Sequence, residues 1–100
     1  MQPSKQPEQQ LHSSPHLSDE HGELLQIQVN YDPEEEQYTL WKNLTIAGRR
    51  QMIRCKQSSS LTGIVEGFNE LVDKASAQGF KVGGDEKISA DTLYSALQSK

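Results

Sequence analysis

The sequence predicts an α+β domain: a short antiparallel sheet, with strands at about 23–31, 37–46 and 50–56, packed on one face by an amphipathic helix at 59–78 and a C-terminal helix at 89–98. Three observations carry this fold class. Residues 23–31, ELLQIQVNY, alternate with period 2, so that Leu25, Ile27, Val29 and Tyr31 face one way and Gln26, Gln28 and Asn30 the other. Residues 37–46 alternate in the same manner and are rich in β-branched and aromatic side chains. Residues 59–79 place Leu61, Ile64, Val65, Phe68, Leu71, Val72 and Ala75 at three- and four-residue spacing, a single stripe on a helix.

One hundred residues suffice for a single modest core. Residues 1–22 are dominated by Gln, Ser, Pro and His, with Leu11 and Leu17 the only large aliphatics after Met1. Two such side chains do not offset the entropy of ordering the segment, so 1–22 is expected to be a disordered polar tail ahead of a domain at 23–100. It holds all three histidines, His12, His16 and His21, beside Asp19, Glu20 and Glu23. Imidazole is a common metal ligand, but a floppy segment must spend ordering entropy to hold an ion, and the histidines are read as solvated.

Residues 33–56 admit two physical readings. Asp32-Pro33-Glu34-Glu35-Glu36 has an N-cap residue, proline at the first helical position and acids in the first turn, which suits the start of a helix. The same residues also suit an acidic hairpin loop. Tyr38, Leu40, Leu44 and Ile46 then alternate with Thr39, Trp41, Asn43 and Thr45, and Ala47-Gly48 turns the chain into a returning strand with Met52 and Arg54 on one face and Ile53 and Cys55 on the other. The fold class above adopts the strands.

Beyond this segment, Ser58 to Ser60 offer an N-cap hydroxyl, and Gly79 sits where a left-handed residue would close the helix. Gly63 and Gly67, one helical turn apart, are read as tolerated glycines. Phe80-Lys81-Val82 is a short strand or extended connection, Gly83 to Glu86 a turn, and Ser89-Ala90-Asp91 opens the last helix, with Leu93, Tyr94 and Leu97 as its apolar face.

Enzyme chemistry finds no footing in this pattern. With every histidine in the first 21 residues, no Cys-His or Ser-His-Asp arrangement can be assembled in the expected domain. Gly83-Gly84 lacks the Lys-Ser or Lys-Thr of a phosphate loop, and Asp85 to Ser89 lacks the spaced oxygens of a calcium loop. No catalytic residue, metal ligand or cofactor is assigned. The lone Cys55 cannot form an internal disulfide and the first residues carry no apolar leader, so a cytoplasmic protein is expected.

Charge segregation is the feature that rises above background. The net charge is -4, yet from Gln37 to Val65 there is no acid, while Lys42, Arg49, Arg50, Arg54 and Lys56 supply five cations beside Trp41. Asp32, Glu34, Glu35 and Glu36 flank this block on one side, and Glu66, Glu70 and Asp73 on the other. Such a block is either a solvated face or a docking patch for phosphates or an acidic protein.

The helical reading of 33–49 brings a resemblance with it. A strand, Asp-Pro-Glu at a helix start, a Gly-Arg turn and then Ser-Leu-Thr-Gly-Ile-Val-Glu-Gly-Phe-Asn-Glu-Leu is similar to the ribbon-helix-helix family of DNA-binding repressors over about residues 24–77. The resemblance implies a dimer whose paired strands enter the major groove, with Gln26, Gln28 and Asn30 reading bases and Ser59 and Ser60 near phosphate.

The leading expectation is a small regulatory or adaptor module without catalytic activity. It docks a macromolecular partner through the basic segment 42–56 or the open sheet face, another protein before nucleic acid, with a homodimer as a further possibility and no membrane. DNA-binding regulation is the alternative.

Overall fold

In the computed structural model, which describes residues 8–84 and 86–98, the alternating segment becomes β3 (Leu24–Asp32), the middle of a five-stranded antiparallel sheet. Its neighbours are β4 (Gln37–Ile46) on one side, and β1 (Gln9–Ser13) and β2 (Leu17–Ser18) on the other. The last strand, β5 (Arg49–Ser58), pairs with β4 and ends the sheet. Two helices follow, α1 (Leu61–Ala77) and α2 (Ala90–Gln98). The small antiparallel sheet and two helices are the α+β class that periodicity predicts.

Residues 37–46 are a strand, so the first helix that a ribbon-helix-helix architecture needs is replaced by the middle of a hairpin. Asp32 does not cap a helix. Its Oδ1 accepts from the backbone N–H groups of Glu34 (3.0 Å) and Glu35 (3.3 Å), closing a tight turn. Glu36 adopts φ 54°, and β4 leaves in the opposite direction. At the far end Ala47 (φ 52°) and Gly48 (φ 78°) are both left-handed, the pair of dihedrals that matches a two-residue hairpin to the twist of its strands.

The expected tail is corrected as well. Residues 1–7 lie outside the described residues, but residues 9–18 supply β1 and β2, and Leu11 and Leu17 are buried in the core. What orders them is mainly backbone. Ser14 donates its N–H to the Ile27 carbonyl (2.8 Å), and its Oγ accepts from the Ile27 N–H (2.9 Å). The Lys81 N–H donates to the Ser18 carbonyl at 2.8 Å. Two leucines added to a ladder of backbone bonds achieve what two leucines alone do not.

The core joins one sheet face to the helices. Leu25, Ile27, Val29 and Leu40 meet Leu61, Ile64, Phe68, Val72 and Ala75 of α1, with Leu93 of α2 and Phe80 filling the remaining space. Ser60 caps α1 by accepting from the Gly63 N–H at 3.1 Å. At the other end Gly79 (φ 99°) donates to the Ser76 carbonyl and Phe80 to that of Ala75, a Schellman closure that also delivers the buried Phe80 ring to the core. Residues 80–82 are an extended connection, not a strand. Asp85, in the turn expected at 83–86, lies outside the described residues.

Candidate functional site

Strand register decides which side each polar residue takes, because directly opposed residues in an antiparallel pair share a face. Leu25, Ile27 and Val29 oppose Leu44, Lys42 and Leu40, and this is the face toward α1. Gln26, Gln28 and Asn30 oppose Asn43, Trp41 and Thr39 on the face turned away from the helices. On β5 that outer face continues with Arg50, Met52 and Arg54, opposite Thr45, Asn43 and Trp41.

The basic segment is therefore divided. Trp41, Arg50 and Arg54 stand on the outer face, in the same rows as Gln26, Gln28 and Asn30, so residues belonging to two rival readings of the sequence come together. Lys42 opposes Ile53, Arg49 opposes Ile46 and Lys56 opposes Leu40, all toward the helical side. A bulge at Cys55 between the Leu40 and Trp41 pairings carries Lys56 to that side. There the Lys56 Nζ donates to the Gly63 carbonyl at 3.0 Å, a tie to the start of α1.

A groove of about 510 Å3 runs between α1 and β4–β5. Lys42, Lys56 and Lys74 line it together with Glu66 and Glu70, and their opposite charges leave it no strong preference for an ion of either sign. Leu40 and Leu71 also line it, and the exposed Cys55 thiol stands at its border.

The outer face carries a hydrogen-bonded series of side-chain amides. Asn43 Nδ2 donates to Gln28 Oε1 (3.3 Å), Gln28 Nε2 to Asn30 Oδ1 (2.9 Å), and Asn30 Nδ2 to Glu8 Oε1 (3.1 Å). Asn43 Oδ1 and Trp41 Nε1, both buried on this face, have no hydrogen-bond partner among the described residues. Beside Asn43 lies a hollow of about 340 Å3 lined by His16, Leu24, Gln26, Thr45 and Arg50. The sequence gives Asn43 and Met52 places in their strands without a binding role, and reads His16 as a solvated side chain. Asn43 was legible in the alternation of β4, whereas His16 reaches this face only because β1 and β2 join the sheet.

The outer edge of β5 is the other conspicuous surface. Arg49 to Gln57 are all exposed, and among the described residues no strand pairs with that edge. Large apolar side chains project near the hairpin tip, with Ile46, Ile53 and Met52 at 42%, 39% and 51% exposure, too open to count as core.

The titratable groups whose proton affinity is perturbed lie away from both surfaces. Burial holds His12 below the ordinary imidazole range, its ring edge-on to Phe68 at 5.3 Å. Burial pushes the Tyr38 phenol up, helped by the neighbouring Tyr31 and Tyr94. Among the described residues no three His, Cys, Asp or Glu side chains cluster as metal ligands, and no helix is long and apolar enough to cross a membrane.

No protein-family model matches this chain. Neither curated proteins nor solved structures give a significant match.

Proposed function

We propose that this domain is a non-catalytic adaptor that takes an extended acidic segment of another protein as an added strand along β5. The observation that carries this reading is the edge itself: ten residues of strand, unpaired on their outer side among the described residues, with Arg49, Arg50, Arg54 and Lys56 and no carboxylate. In such a strand alternate residues direct their N–H and C=O groups outward, so an incoming segment gains ladder bonds along a length of roughly 34 Å. Register gives the charges to both sides of the added strand, Arg50 and Arg54 on one face and Arg49 and Lys56 on the other.

Charge selects the occupant. Pairing with β5 of a second copy would set four cations against four more, whereas a Glu- or Asp-bearing strand opposes them with carboxylates. Ile53 and Met52, one on each face, give an apolar contact next to the cations.

The test is the affinity of a fluorescein-labelled peptide of alternating Glu and Val, matched in length to β5, for wild type and for R49E/R50E/R54E. Exposed charge pairs are worth a few tenths to 1 kcal/mol each, and reversal turns attraction into repulsion. Weakening by about ten-fold or more is expected, with thermal unfolding unchanged. Affinity retained within about two-fold contradicts the reading.

A further inference from the structure

We propose that the outer sheet face, which shares Arg50 and Arg54 with the β5 edge, binds single-stranded nucleic acid, with a base in the hollow beside Asn43, a second against Trp41, and their phosphates on Arg50 and Arg54.

The amide series has a direction. Glu8 is a carboxylate with no proton to give when ionised, so Asn30 must turn its NH2 toward it; Asn30 Oδ1 then accepts from Gln28, and Gln28 Oε1 from Asn43. Every amide along the series is thereby oriented, and Asn43 Oδ1 is left as the terminal acceptor, buried and without a partner among the described residues. Two residues along the same strand and on the same face, the Trp41 indole N–H is a buried donor with no partner among the described residues. Each of these atoms calls for a partner of its own, and the edges of nucleobases carry both acceptors and donors. The residues opposite Asn43 and Trp41 are Met52 and Arg54, exposed unbranched side chains that can swing aside to admit it.

The surroundings fit the rest of a nucleotide chain. The hollow of about 340 Å3 is flanked by His16 and Arg50, both planar groups on which bases stack. Arg50 and Arg54 lie two rows apart on the same face, about 13 Å along the strand, which places them on separate phosphates. The row between them holds Met52, Asn43 and Gln26 and no carboxylate. An open sheet face offers a platform on which splayed bases can lie.

Trp41 is the only tryptophan in the chain, so its fluorescence reads this face directly. The experiment titrates the full chain with a mixed-sequence single-stranded 12-mer, with the same sequence as a duplex, and with a polyglutamate peptide of equal charge. Expected are quenching by the single strand alone and a log–log salt slope of about -1.4, from two phosphate contacts at about -0.7 each. R50Q and R54Q, both exposed and outside the core, should each flatten that slope by about 0.7. N43L should weaken binding several-fold and leave the slope unchanged; W41F, followed by anisotropy of the labelled 12-mer, keeps one aromatic ring and loses the indole N–H, and should likewise weaken binding several-fold with the slope unchanged. The proposal is overturned by absence of quenching at low salt, by equal quenching from polyglutamate or duplex, or by a slope indifferent to R50Q and R54Q.

Discussion

The side-chain amide of Asn69 takes both backbone groups of Ile88: Asn69 Nδ2 donates to the Ile88 carbonyl at 2.9 Å, and the Ile88 N–H donates to Asn69 Oδ1 at 2.8 Å. This pair of bonds holds the segment after α1 against the helix and so fixes where α2 begins. N69A removes both partners and leaves a half-buried peptide to find water. A loss of about 1–3 kcal/mol in urea unfolding is expected, with faster amide exchange in α2 than in the sheet.

Gly63 and Gly67 look alike in sequence but differ in what surrounds them. A Cβ on Gly67 would meet Leu40 Cδ2 at 3.1 Å and Lys56 Cδ at 3.2 Å, and Leu40 is buried. On Gly63 nothing comes nearer than 3.6 Å. G63A should therefore gain up to about 1 kcal/mol from helix propensity, while G67A should gain nothing or lose about 1 kcal/mol. Chemical denaturation of the two variants checks the order, and an equal gain in both would refute the close approach at Gly67.

Stability should fall on mild acidification because of His12. Its folded-state proton affinity is depressed by burial, so between that depressed value and the ordinary 6.5 the unfolded chain binds more protons than the folded one. The contribution is fully present above pH about 6.5 and is lost as pH falls toward the depressed value. Unfolding midpoints at pH 7.5 and 5.5 should diverge in wild type and draw together in H12F, which keeps an aromatic contact with Phe68.

Periodicity gave β3, β4 and α1 because each buries a whole stripe on one side, and the ends of α1 were legible in Ser60 and Gly79. Register on β5 was legible only in part. Strict alternation puts Lys56 with Arg54 and Met52, but the bulge at Cys55 turns Lys56 toward Gly63, and a one-residue insertion in the ladder leaves no mark in composition. The same limit hid β1 and β2. Their order comes from backbone bonds such as those between Ser14 and Ile27, and from a partner strand that alternation along 9–18 does not name. The coming together of Gln26, Gln28 and Asn30 with Trp41, Arg50 and Arg54 is a product of tertiary register and could not be read from either segment alone.

The most direct test of edge docking is residue-resolved amide hydrogen exchange of the full chain with and without the alternating Glu-Val peptide. The account predicts slowed exchange confined to alternate residues of β5 between Arg49 and Ser58, the period-2 footprint of a newly paired strand. Protection absent from β5, or appearing instead along α1 or on β3, would contradict it.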